Sequence, residues 1–319
     1  MIRSIRPTDL LTLAYFNGRS RGNEVRTVST LGRKENGSLP ATAFVKHWLS
    51  LEENRHTWIY LRNHQIKGLI SARSSSDSSI WEVDRLQLAK GENYDLYLDL
   101  LDYLCLVGGE TGMEKVFLRF PKDSPLVEIA RHAGFTPYLV EVLYGLDQRG
   151  RNRTRKLIPF PEGLRAKTRA DDHSLFQLYN ATMPDHVRRL QAMTLREWQE
   201  TRGLGWEKRN KREYAAEKDG VVVAWLGISK QGSAGHIEIM VHPSHEDLLD
   251  SLLSYAIAYL SDRLTILALV PEMHSSLRSS LMTHGFDEGE KYETLIKELT
   301  VRLRHPRLVP MRVWGQAPH

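Results

Sequence analysis

The chain has 319 residues, 26% of them charged and 41% hydrophobic, with a net charge of +5 and one cysteine. That length suits two domains that each bury a core. A single cysteine excludes a disulfide framework, and no apolar run approaches the roughly 18 residues of a membrane span. The opening MIRSIRPTDL lacks the apolar middle of a signal peptide, so a reducing cytoplasm is the expected location.

The positive excess is localised. Residues 1–148 carry 18 basic and 18 acidic side chains, and residues 157–299 carry 17 and 21. The surplus sits in a connector, Arg149, Arg151, Arg153, Arg155 and Lys156, and in a tail, Arg302, Arg304, Arg307 and Arg312. QRGRNRTRK reads as a solvated linker. The alternative is phosphate contact with nucleic acid, although no aromatic interleaves the basic residues.

In chain order, residues 2–6 predict a short strand, and Pro7-Thr8-Asp9 opens an apolar-striped helix over 10–16. Residues 17–40 are polar and glycine-rich and read as a long loop. A helix over 41–51 and a hairpin over 57–71 follow. Residues 80–88 (IWEVDRLQL) predict a strand, 94–107 a helix with Cys105 on its buried face, and 115–120 (KVFLRF) a second strand. A helix over 125–132 ends at Gly134-Phe135, and 138–146 is the last strand of this half.

The second half repeats the order. Residues 164–168 predict a strand, 170–180 and 194–201 helices, and 213–218 with 221–228 a hairpin around Asp219-Gly220. Ile237, Ile239 and Val241 alternate with Glu238 and Met240, the period of a strand with one buried face. His242-Pro243 ends it, and Leu248, Leu249, Leu252, Leu253, Ala256, Ile257 and Leu260 stripe the helix that follows. An apolar strand over 264–270 and a helix over 275–283 ending at Gly285-Phe286 come next. Residues 292–299 are expected to close this half, and 300–319 form an extended tail with Trp314 anchored on a surface.

This order, with R-x-x-D before the first helix (Arg6 and Asp9, then Arg169 and Asp172) and Gly-Phe after the last, resembles the GNAT superfamily of acetyl-CoA-dependent N-acyltransferases. The resemblance spans nearly the whole chain as two copies. It implies a mixed-sheet α/β fold with an N-terminal domain over 1–148, a linker over 149–162, a C-terminal domain over 163–299 and a tail over 300–319. The copies are expected to pack as an internal pseudo-dimer.

In that superfamily a loop of the form V-x-P-x-x-[RQ]-G-x-G-[IL]-[GA] holds the CoA pyrophosphate on backbone amides at a helix start. Val241 and Pro243 fit it, but Glu246 replaces the Arg or Gln, and Asp247, Leu249 and Ser251 replace small residues. The positions that would contact acetyl-CoA are Val241, His242, Pro243, Ser244 and His245, and in the first copy Leu88, Gly91 and Asn93, beside Glu92 and Asp95. Repulsion between a carboxylate and a phosphate costs about 1 kcal/mol in bulk water and more near protein, against a helix-dipole gain of about 0.3–1 kcal/mol. The superfamily's acid tyrosine is replaced by Ala130 and Leu281, and its asparagine by Asp123 and His274.

Glu238 is the candidate general base, with Glu82 and Asp84 as its first-copy counterparts; the alternative is a solvent-facing strand carboxylate. His236, His242 and His245 lack a metal-binding spacing, and no metal is expected. The stretch 188–212, rich in Arg and Lys with Trp198 and Trp206, lies where the superfamily shapes its acceptor site and suggests an acidic acceptor or partner, or else a charged helix pair. The expected function is a binding or scaffold protein with weakened or lost catalysis, its partner a protein or small-molecule amine. The alternative is an active acetyl-CoA-dependent N-acyltransferase.

Overall fold

A computed structural model describes residues 1–32, 55–74, 78–149, 160–202 and 211–300. The helix expected over 41–51, most of the connector and the tail with Trp314 lie outside the described residues. Among those residues no helix is long and apolar enough to cross a membrane.

The first half contributes strands β1 (Ile2–Ser4), β2 (Arg55–Arg62), β3 (Gln65–Arg73), β4 (Ile80–Leu88), β5 (Lys115–Pro121) and β6 (Thr136–Asp147). Its helices are α1 (Leu10–Arg19), α2 (Asp95–Thr111) and α3 (Leu126–His132). The second half adds β7 (Leu164–Ala166), α4 (Asp172–Thr182), α5 (Asp185–Gln191), α6 (Leu195–Arg202), β8 (Lys211–Lys218), β9 (Val221–Gln231) and β10 (Ala234–Val241). It finishes with α7 (Leu249–Tyr259), β11 (Thr265–Pro271), α8 (Ser275–Thr283) and β12 (Asp287–Glu298). The helix α5 was not expected from the sequence.

Local chemistry accounts for the punctuation. Asp219 and Gly220 take φ of 52° and 77°, and Asn63 and His64 take 51° and 58°, the left-handed pairs that match hairpin twist. Gly134 and Gly285 sit at φ of 82° and 87° just past α3 and α8, where a Cβ would be strained.

The twelve strands of the described residues join one sheet in the order β1-β2-β3-β4-β5-β12-β6-β11-β10-β9-β8-β7. The strand expected to close the second half on itself does something else. β12 inserts between β5 and β6 of the first half, pairing Leu295 with Leu118 on one side and Glu293 with Val140 on the other. In return β6 runs antiparallel to β11, with Leu267 opposite Gly145. The two halves therefore exchange their last strands across a central β6–β12 pair.

Side-chain alternation divides the sheet's cover. Trp58 faces a core with Leu100 and Leu104 of α2 and Val127 of α3, whereas neighbouring Ile59 meets Leu13 and Phe16 of α1. In the second half Leu226 packs with Leu252 and Leu253 of α7, and Trp225 packs with Leu175 of α4 and Trp198 of α6. Cys105 belongs to the α2 core; burial pushes its thiol up to about 11, so it is an inert core residue, as expected.

The strand starts carry a matched anchor in both halves. Arg3 grips Asp9 with two bonds of 2.7 Å, and Asp9 accepts from the Arg6 amide at 2.7 Å. The counterpart is not Arg169 with Asp172. It is Arg165 on Asp171 with two bonds of 2.8 Å, and the Thr168 amide donates to Asp171 at 2.7 Å. The repeat therefore rests on the buried carboxylate of the capping turn, one position earlier than the sequence pattern suggests.

A buried ion pair locks the second half's helices to the first half's sheet. Lys115 of β5 donates to Glu197 of α6 at 2.6 Å and to the Ala192 carbonyl at 3.0 Å. Glu197 also accepts from the Thr194 amide at 2.6 Å while its own amide donates to Thr194 Oγ1 at 3.2 Å, a capping box. Removing one partner of such a pair leaves an uncompensated charge. Lys115→Met is expected to lower unfolding free energy by about 3–5 kcal/mol, and the double replacement Lys115→Met with Glu197→Leu to recover most of it, read from urea midpoints.

Candidate functional site

Each half opens a V between two parallel strands. β4 and β5 pair only from Ile80 with Lys115 to Glu82 with Phe117, and then part. β10 and β11 pair from Ala234 with Thr265 to Ile237 with Ala268, and then part at Glu238.

The two clefts differ in what fills them. In the first half the chain after α1 enters the V. The Arg21 amide donates to the Leu88 carbonyl at 2.8 Å, Glu24 to Leu86 at 3.1 Å, and Arg26 to Arg119 at 2.8 Å. The Asn23 side chain bridges the Asp84 carbonyl and the Leu86 amide, both at 2.9 Å. Val25 is fully buried between the parted strands. Of the candidate cofactor residues here, Leu88 has its carbonyl occupied, Gly91 turns with φ of 88° in open space, and Asn93 is bound to Asp95 at 2.5 Å.

The second V is open. A cavity of about 260 Å³ lies between β10, α7 and the start of α8, lined by Ile239, Val241, Pro243, Glu246, Leu249 and His274 among others. It shares Ile239, Met240 and His274 with a second cavity of about 290 Å³ beneath α4–α6, which reaches the seam between the halves. The His242 amide donates to Val223 on β9 at 2.8 Å, so strand alternation turns the Ile239 and Val241 amides and carbonyls away from β9 and towards the opening.

The corner expected to hold a pyrophosphate is largely self-satisfied. The Ser244 amide donates to His242 Nδ1 at 3.2 Å, the His245 amide to the His242 carbonyl at 2.8 Å, and the Ser244 hydroxyl lies 2.6 Å and 2.7 Å from the His242 and His245 rings. Glu246 turns to Ser276 of α8 at 2.7 Å and lines the cleft. His236 is buried away from this corner, and among the described residues no group of His, Cys, Asp and Glu could hold a metal.

Glu238 lines the larger cavity, and both its oxygens accept from Lys211 at 2.8 and 2.9 Å. It is therefore an ion-paired wall residue rather than an exposed strand carboxylate. Glu82 lines the same cavity, whereas Asp84 is tied to Ser71 at 2.5 Å and to Arg55. Leu281 is fully buried in the core.

The residue that sequence reasoning passed over is His274, just before α8. Its Nε2 lies 3.0 Å from the Thr182 carbonyl, which fixes that nitrogen as the donor and leaves Nδ1 as an acceptor at the junction of the two cavities. Burial lowers its pKa, so the ring is neutral near pH 7. Its place at the superfamily's asparagine position was the available signal. Gln191, Trp198 and Arg202, within the basic stretch singled out in the sequence, do line the larger cavity; Trp206 lies outside the described residues.

No family model matches the chain, and no curated protein does. Solved structures do. A tandem GNAT protein from the clavulanic acid biosynthesis pathway superposes with a TM-score of 0.53 at 12% identity, over 93% of this chain and 98% of that one. A GCN5-related N-acetyltransferase from Sphaerobacter thermophilus gives 0.53 at 12% identity, over 95% and 98%. The chain has a tandem GNAT fold. At this identity the likeness establishes the architecture of both halves, and the chemistry rests on the clefts themselves.

A neutral buried His274 links stability to pH. Its folded pKa lies below the unfolded value of about 6.5, so between the two values the unfolded chain binds more protons and stability rises with pH. The contribution is complete above about 6.5 and is lost as pH falls through the folded value. His274→Asn keeps a donor for Thr182 and cannot titrate. Wild type is expected to lose urea stability relative to this variant on going from about pH 8 to about pH 5; an unchanged difference refutes the burial account.

Proposed function

We propose that this tandem GNAT-fold protein is a ligand-binding protein with one working cleft, between β10 and β11, and that its first half is a closed structural lobe. The observation that carries this reading is the occupation of the first V by residues 21–26, against the open V of the second half. A thin acyl-thioester arm with amide groups, such as the pantetheine portion of acetyl-CoA, suits a narrow cleft with the Ile239 and Val241 backbone on one wall. The corner at 242–248 offers little to a diphosphate, because the Ser244 and His245 amides are already bonded and Glu246 and Asp247 stand beside them.

A second reading, N-acyl transfer, is favoured by one specific feature, the neutral His274 between the two cavities. There its Nδ1 would accept the proton of an amine attacking the thioester carbonyl while the C–S bond breaks and a thiolate leaves. Glu238, held by Lys211, serves this role less well. The buried Leu281 supplies no acid for the thiolate.

Calorimetric titration separates these readings. One equivalent of acetyl-CoA is expected to bind, with an affinity within about threefold (under 1 kcal/mol) of that of S-acetylpantetheine. Met273→Trp, at the partly exposed rim of the cleft, is expected to weaken both. Two equivalents would overturn the closed first lobe. Acetyl-CoA binding much tighter than S-acetylpantetheine, with thiol release in the presence of an amine, would establish the transferase reading instead.

A further inference from the structure

The cavity at the seam holds a charge that the protein leaves only partly answered. Arg119 projects from β5 with its side chain 10% exposed. Its Nε donates to Glu141 of β6 at 2.8 Å and to Thr294 of β12 at 3.1 Å, and Thr294 donates to Glu141 at 2.7 Å. Its two Nη groups donate to none of the described residues, and the nearest further carboxylate oxygen, Glu82 Oε1, is 4.0 Å from Nη1. Glu82 in turn receives both bonds from Arg73, at 2.8 and 2.6 Å, on Oε2 alone. Both Arg119 and Glu82 line the cavity.

Neither Nη is among the sealed-off side-chain donors that lack a partner, so the fork reaches the cavity, where a ligand or water can meet it. The fork matches a carboxylate in two parallel bonds. Glu82 Oε1, one short step away, matches a cationic group attached close to that carboxylate. Charge balance narrows the class further. Arg119 with Glu141 and Arg73 with Glu82 form two neutral pairs, so a lone anion or cation would leave a net buried charge and a zwitterion would not. The remaining wall includes Phe117, Tyr138, Trp198 and Trp225, which suit an apolar or aromatic side chain.

We propose that the seam cavity binds an amino acid, or a molecule with an amino-acid head, its carboxylate on the Arg119 fork and its ammonium at Glu82. This deepens the reading of the open second-half cleft by naming the class of molecule that lies beyond His274 from the acyl arm. Its site is shared between the halves: Arg119, Glu82 and Glu141 come from the first, Thr294 and the aromatic Trp198 and Trp225 from the second.

The test is calorimetric titration of the full chain with phenylalanine, 3-phenylpropionate, which lacks the ammonium, and phenethylamine, which lacks the carboxylate. Phenylalanine is expected to bind, and each analogue to bind about tenfold or more weakly. Arg119→Lys keeps a cation beside Glu141 but replaces the fork by a point charge, and is expected to lower phenylalanine affinity by about tenfold while leaving the binding of phenethylamine, which has no carboxylate for the fork, unchanged. Glu82→Gln is expected to erase the difference between phenylalanine and 3-phenylpropionate. Equal binding of phenethylamine and phenylalanine, indifference to both substitutions, or no heat from any of the three at millimolar concentration would overturn the proposal. No acyl donor is present, so this result is independent of the acetyl-CoA titration.

Discussion

The crossing of two strands governs this molecule. β12 belongs by sequence to the second half, yet its neighbours are β5 and β6 of the first, and β6 lies against β11 of the second. A sheet built in this way cannot be divided between the halves without breaking three ladders of backbone hydrogen bonds. The interface is therefore as obligatory as a domain core, and Lys115 with Glu197 adds a buried charge pair on one face of the same seam. The exchange also makes the seam cavity possible, because its floor combines Arg119 of β5, Thr294 of β12 and Glu141 of β6 on three adjacent strands.

Two copies of one architecture have taken different paths at the same place. In both, parallel strands part after three or four paired residues. In the first, the segment after α1 lies along the parted strands, with Asn23 supplying the hydrogen bonds and Val25 the apolar filling. In the second, the segment after α4 reaches Pro184, whose fixed φ and the acidic Asp185 that follows favour a helix start, and α5 packs against β6. The opening that remains leads past His274 to the seam. A few residues of local preference thus decide which half carries a site.

The electrostatics of the open site follow from burial. Lys211 holds Glu238, Arg73 holds Glu82, and Glu141 holds Arg119, so the charged wall is nearly neutral in sum. Burial keeps His274 uncharged and raises the pKa of the Tyr138 and Tyr179 hydroxyls. A site of this kind discriminates by where individual donors and acceptors stand more than by its net potential.

The order of strands and helices, the hairpin at Asp219-Gly220, the Gly-Phe stops and the core position of Cys105 were written in local pattern, because each depends on periodicity or on a backbone angle that one or two residues decide. The departure of the corner at 242–248 from a phosphate-binding loop was visible for the same reason. The helix α5 escaped notice, being short and mostly polar. Strand exchange, the filled first V, the unmet fork of Arg119 and the burial that neutralises His274 required the tertiary structure. Each arises between residues far apart in the chain, such as Arg119 and Thr294 or Asn23 and Leu86, and pairing at that distance leaves no period in the sequence.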